Sequence, residues 1–206
     1  ALPMQKWRDG EIGIKDFSGQ IIRDHEACGW VLHSRVTIWK CPVVEMTRTK
    51  AHGLLYKTLQ ADSGRSRQGM PDYLLVFRKP GDNPAPIRHT PADFPLNQWQ
   101  EWASPVWTTV NQTRVLNVQA AREAQDERHL CPLQLDVIDR ALIMWSNHGD
   151  VVLSPFMGIG SEGVCSLRQR RKFIGVELKE SYWRQACRNL ADAERNSADL
   201  FAGAVA

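Results

Sequence analysis

Three glycines, Gly158, Gly160 and Gly163, stand at GxGxxG spacing, and an acid, Glu177, closes the next apolar run. Glycine lets a backbone approach a ligand where a Cβ would clash. A helix that begins at such a turn presents unpaired N–H groups. A carboxylate at the carboxyl end of the following strand can accept hydrogen bonds from ribose hydroxyls. Together these residues describe a site for a nucleoside-containing cofactor.

Positioning them takes a strand, a turn, a helix and a second strand. Val151, Val152 and Leu153 precede the glycines, and Phe173, Ile174, Gly175 and Val176 precede Glu177. Apolar spacing predicts helices over 15–28, 132–145 and 179–196. The second carries a stripe of Leu135, Ile138, Leu142 and Trp145, the third one of Tyr182, Ala186 and Leu190. β-Branched and aromatic residues predict strands over 30–40 and 73–78. Residues 41–50 read as a polar loop, 51–60 as a short helix, and 61–69 as a flexible basic loop carrying Arg65 and Arg67. Prolines gather in 79–95, which predicts loop or linker. Trp99, Trp102 and Trp107 then cluster, and read as a local mini-core rather than base-stacking platforms. The chain thus divides into 1–80, a Pro/Trp-rich insertion over 81–128 that is the candidate target-recognition region, and 129–206. The first thirteen residues read as irregular and the last ten as frayed.

Composition narrows the class. With 43% apolar and 24% charged residues, the 206-residue chain reads as a soluble globular protein. No apolar run reaches the roughly 20 residues that span a bilayer, and no secretory signal is visible, so no membrane partner is expected. The five cysteines are widely spaced, with neither CxxC nor zinc-ligand spacing. They read as free thiols in a reducing cytoplasm. A net charge of +3 permits a nucleic-acid partner without demanding one.

Two cofactors compete for residues 151–177. One reading is the dinucleotide fingerprint of an NAD-dependent oxidoreductase. In the other, SPFMGIGS resembles the DPFxGxGT signature of the amino-directed DNA methyltransferases, which methylate exocyclic nitrogens of adenine or cytosine with S-adenosylmethionine. FIGVEL followed by KESYWRQACRNL resembles that family's next element. Pro155 and Phe156 ahead of the glycines favour the second reading. So does the unit's place near the C-terminus, because a dinucleotide fingerprint usually opens its domain. Upstream, GWVLHSRVTIWK and GRSRQGMPDYLLVFRKP resemble strands of a permuted class in which the catalytic half precedes the cofactor half. ERHLCPLQ stands where that class has HPTQKP: His129 matches and the Gln-Lys-Pro part does not. The HLCPLQ wording resembles phage- or prophage-encoded members.

The resemblance implies an α/β, Rossmann-like methyltransferase fold with an incomplete sheet and helices on both faces. It implies that Phe156 packs on the adenine or the methionine arm and that Gly158 and Gly160 leave room for the cofactor. Ser161 would cap the next helix, Glu177 would bind the ribose diol, and His129 would lie near the cofactor or order the loop above it. Ser154 takes a position that is usually Asp, which is expected to meet the amino group of the methionine part. Serine lacks that charge, and a charge-assisted hydrogen bond is worth about 1.5–3 kcal/mol. Arg170 falls where a Gly is expected before the strand. Arg65 and Arg67 are candidate phosphate contacts to double-stranded DNA. No metal ligands are implied.

The family's catalytic tetrapeptide, (Asp/Asn/Ser)-Pro-Pro-aromatic, is missing, and the chain contains no Pro-Pro pair. No catalytic residue is therefore assigned. In the permuted order the motif lies upstream of residue 1, which makes this chain the C-terminal portion of a longer enzyme with four of seven sheet strands. Such a portion should expose apolar surface and be rescued by its missing N-terminal half or by self-association as a homodimer. The expected function is methyl transfer to adenine, or to cytosine. The alternatives are a non-catalytic binding module and the NAD-dependent enzyme.

Overall fold

The computed structural model describes residues 16–49, 52–117 and 132–202. The chain forms two compact units, Ala1–Pro84 with Asn97–Val110, and Ala85–Leu96 with Asn111–Ala206.

In the first unit α1 (Phe17–Ala27) leads into β1 (Val31–Ile38), as the spacing predicts. Asp16 caps α1 by accepting the Gly19 N–H at 2.9 Å, which holds its carboxyl below the usual range. Next come α2 (Pro42–Thr49), a 3₁₀ turn at His52–Leu54, α3 (Tyr56–Ala61) and a second 3₁₀ turn at Ser63–Arg65. α2 corrects the loop expected over 41–50. Pro42 opens the helix, where its missing N–H would have had no helical partner, and the Glu45 N–H closes onto the Cys41 carbonyl at 3.0 Å.

β2 (Asp72–Arg78) returns antiparallel to β1, with Val31 opposite Arg78 and Ile38 opposite Asp72. α4 (Leu96–Trp102) and β3 (Val106–Trp107) follow. β3 lies parallel to β1, Ile38 opposite Trp107. Trp107 is 1% exposed and donates its Nε1–H to the Trp102 carbonyl at 2.8 Å. Trp102 and Trp107 are therefore core, while Trp99 is half exposed. That core belongs to the first unit, because β3 is a strand of its sheet. Residues 81–128 accordingly do not stand apart as one insertion.

In the second unit α5 (Leu135–Trp145) buries Leu135, Ile138 and Leu142 against Cys165, with Leu116 and Val152 alongside. β4 (Val151–Ser154), α6 (Ser161–Arg168) and β5 (Lys172–Gly175) form a βαβ unit with parallel strands, Leu153 opposite Ile174. α7 (Glu180–Ala202) packs on α6 and buries Tyr182, Ala186 and Ala193. A Cβ on Gly163 would lie 2.5 Å from Leu190 and 2.7 Å from Phe173, so the third glycine of the motif serves helix and strand packing.

A buried arginine joins α5 to β5. Arg171 is 5% exposed. It donates to the carbonyls of Leu142, Ser146 and Gln169 at 3.2, 2.7 and 2.6 Å, and to Ser146 Oγ at 3.0 Å. The Ser146 carbonyl lies past the end of α5, where helical partners run out, so the guanidinium serves as a cap there and adds a donor to the Leu142 carbonyl, which also accepts the Ser146 N–H.

α6 lies on the side of the strands that holds Phe173. On the other side Val151, Leu153, Ile174 and Val176 are all at least half exposed. This is the bare apolar face expected of an incomplete sheet. Among the described residues no helix is long and apolar enough to cross a membrane.

Candidate functional site

The turn after β4 is held by backbone bonds that run on past the end of β5. The Val176 N–H donates to the Ser154 carbonyl and the Met157 N–H to the Val176 carbonyl, both at 2.9 Å. This brings Glu177 beside the glycines. Its carboxylate oxygens accept the Gly158 N–H at 2.8 Å and the Lys179 N–H at 2.9 Å. Each oxygen retains capacity for a further hydrogen bond. From α7, Asn189 donates Nδ2–H to the Ile159 carbonyl at 2.8 Å and holds the same turn.

Gly158 and Gly160 have left-handed φ values of 56° and 89°. The position of a Cβ on Gly158 is open space, whereas a Cβ on Gly160 would meet Ala186 at 3.3 Å. Gly158 therefore leaves room beside the turn, and Gly160 instead lets α7 come close. Gly160 is also the N-cap of α6, and no side chain caps that helix. This corrects the capping role expected of Ser161, which lies inside the first turn and is buried.

Beside the turn is a cavity of about 230 Å³, whose lining includes Phe156, Met157, Gly158, Ser161, Glu162 and Tyr182. Phe156 is 87% exposed, so its ring can stack on a ligand. Ser154 is buried at the end of β4 and Pro155 is exposed in the turn; neither lines the cavity. His129 lies outside the described residues.

Two lining residues escape sequence reasoning. Tyr182 reads as core stripe, and it is buried, but one face also carries Lys179 Nζ at 4.3 Å from the ring centroid. Glu162 carries only the weak signal of an acid in a first helical turn. Burial raises its carboxyl above the ordinary value of 4.5. The folded chain thus binds this proton more tightly than the unfolded one. The stability it contributes is full below pH 4.5 and is lost as pH rises through the folded value. Glu162→Gln is expected to exceed the parent in stability at pH 7, with the difference closing below pH 4.5. Urea midpoints at the two pH values check this.

In the first unit, the Arg65 side chain is 83% exposed, with Nε 3.4 Å from Asp62. Arg67 is 15% exposed and donates to Glu45 at 3.0 Å, while Glu45 also accepts the Met70 N–H at 2.9 Å. Arg67 therefore anchors its loop on α2, which corrects the flexible loop expected there. Cys28, Cys41, Cys165 and Cys187 are free thiols, and burial pushes the Cys165 thiol up.

Residues 12–188 match a family model described as DNA methylase. DNA adenine methyltransferase YhdJ of Escherichia coli (strain K12) is 27% identical over 179 residues, which cover 84% of this chain and 57% of that protein. Type II methyltransferase M.MjaI of Methanocaldococcus jannaschii is 26% identical over 173 residues, covering 79% and 50%. The chain thus spans about half the length of these curated relatives. Among solved structures, TTHA0409 of Thermus thermophilus is described as a putative DNA modification methylase complexed with S-adenosyl-L-methionine. It matches with a TM-score of 0.66 at 20% identity, over 94% of this chain and 66% of that one. The likeness shows a shared Rossmann-like α/β fold.

Proposed function

We propose that this chain, which belongs to the DNA methylase family, is the cofactor-binding part of an S-adenosylmethionine-dependent DNA methyltransferase. Its target is an exocyclic amine of adenine or, as the alternative base, cytosine. The observation that carries this reading is the carboxylate of Glu177 held against the Gly158 N–H at the mouth of an open glycine turn. A bound S-adenosylmethionine supplies an electrophilic methyl group. The chain's own residues bind and orient it. Glu177 is fixed by two backbone donors and keeps acceptor capacity for a ribose diol. Phe156 offers a ring face, and Gly158 leaves space for the ligand. His129, Ser154, Pro155 and Ser161 belong to the same site on the family resemblance, while Gly160 contributes by shaping the turn.

The amine must be flipped out of the duplex to be reached. Arg65 is the exposed candidate for a DNA phosphate, and Arg67 supports the loop that presents it. The bare face of β4 and β5 is where a further packed layer fits, supplied by sequence beyond these residues or by a second copy. The permuted order and a phage-type or restriction–modification setting rest on the wording of residues 29–80 and 129–134.

A second reading, a module that binds cofactor or DNA without transferring methyl groups, is favoured by one observation, the lack of a Pro-Pro pair. Calorimetric titration with S-adenosylhomocysteine tests what both readings share under the cofactor assignment. Micromolar binding is expected. A folded chain that does not bind overturns that assignment. Radiolabelled methyl transfer to duplex DNA by the assembled enzyme then separates enzyme from module.

A further inference from the structure

Among the described residues, the lining of the cavity beside the glycine turn holds one carboxyl, Glu162, and no lysine, arginine or histidine. Leu133, Met157 and Ile159 make much of the remaining wall apolar. Glu162 stands in the first turn of α6 and is only partly exposed. A carboxyl in such surroundings is costly to ionise unless something pairs with it.

The polar groups nearby are turned elsewhere. Lys179 Nζ lies over the Tyr182 ring, and the Lys179 N–H donates to Glu177 at 2.9 Å. The Ser166 hydroxyl donates to the Glu162 backbone carbonyl at 2.7 Å, not to its carboxyl. Ser154 is uncharged, and it is buried at the end of β4 away from the cavity. Among the described residues the Glu162 carboxyl is left with its own backbone N–H. Burial raises its proton affinity, and no neighbouring cation offsets the effect. An incoming cation that brings N–H donors would offset it.

S-adenosylmethionine carries two cations, the sulfonium and the α-ammonium, and they are not equivalent partners. The sulfonium has no N–H to donate. It also loses its charge as the methyl group leaves, so a carboxylate held against it would stabilise the reactant more than the transition state. The ammonium keeps its charge throughout the transfer and brings three donors. The amino group on the adenine ring is neutral, and a neutral donor returns less to a desolvated carboxylate than a charged one does.

We infer that the Glu162 carboxylate receives the α-ammonium of the cofactor's methionine arm and makes the site selective for ligands that keep that group. The inference rests on the cofactor reading and adds an orientation to it. The methionine arm runs into the cavity beside the first turn of α6, while Glu177 holds the ribose at the mouth.

The test is calorimetric titration of the 206-residue chain and of its Glu162→Gln variant at pH 7, where the variant is expected to be the more stable of the two. The probes are S-adenosylhomocysteine, S-adenosylmethionine and deamino-S-adenosylhomocysteine, in which hydrogen replaces the α-ammonium. Glu162→Gln should weaken the first two alike, by about tenfold, and leave the deamino compound within about twofold of the parent. In the parent, loss of the ammonium from the ligand should itself cost about tenfold. Parent-like binding of S-adenosylhomocysteine by the variant overturns the inference. So does weakening confined to S-adenosylmethionine, which would place the carboxyl at the sulfonium. Equal weakening of the deamino compound also overturns it, since the contact would then lie elsewhere on the ligand. In all three cases the parent still binds, and the cofactor reading stands. A folded parent that binds none of the probes sinks the inference and that reading together.

Discussion

Glu177→Ala should reduce S-adenosylhomocysteine affinity about 10²–10⁴-fold while leaving the chain folded. The range follows from two hydrogen bonds to a charged group, each worth about 1.5–3 kcal/mol. It has a second component. The carboxylate also receives the Gly158 N–H, so alanine frees the turn as well as the ribose. Glu177→Gln separates the two effects. Glutamine keeps the shape and one acceptor, but its NH₂ must face either the Gly158 or the Lys179 N–H. It should bind with intermediate affinity, about 10–100-fold weaker than the parent. Calorimetry on the three proteins decides the matter. Parent-like affinity in the alanine variant would make Glu177 a purely structural residue and remove the main support for the cofactor site.

Arg171→Met is expected to cost about 2–4 kcal/mol of folding stability, because buried acceptors lose their charged donor. Methionine fills much of the space but donates nothing. The carbonyls of Ser146 and Gln169 would be left without the guanidinium, whereas the Leu142 carbonyl keeps the Ser146 N–H and hydroxyl; each unsatisfied buried acceptor costs about 1–3 kcal/mol. Arg171→Lys should recover less than half, because an ammonium cannot span three carbonyls and a hydroxyl with a planar fork. Urea unfolding of the parent and both variants measures the differences. A loss below about 1 kcal/mol in Arg171→Met would show that water replaces the guanidinium at the end of α5.

Local pattern makes the second unit's elements legible. Val151 to Leu153, the glycine spacing and Phe173 to Val176 each state a preference that needs no distant partner, and β4, α6 and β5 follow it. The stripe of Leu135, Ile138 and Leu142 is equally plain and forms the core expected of it. α2 is hidden because its polar residues outweigh the one local signal, Pro42 as a helix start. β3 is hidden for a different reason. Two residues carry no period, and only pairing with Ile38 makes Trp107 a strand residue. At the site, Gly158 and Glu177 are visible, but Gly160 misleads, since a glycine that admits Ala186 looks the same on paper as one that admits a ligand. Arg171 sits in the run RQRRK, where hydropathy marks a solvated patch. Only the folded backbone shows which of those charges turns inward.

The two units are interleaved along the chain, which passes between them after Pro84, after Leu96 and after Val110. This constrains how the gene can recombine. A single crossover between residues 38 and 106 would join β1 from one parent to β3 from another, and Ile38 would have to match a foreign Trp107 partner. A crossover just past Val110 would move the glycine turn but leave behind Ala85 and Arg88, the residues that Asn147 holds. Shuffling of the two units among relatives therefore needs paired breakpoints. Neither unit can be inherited as one contiguous block.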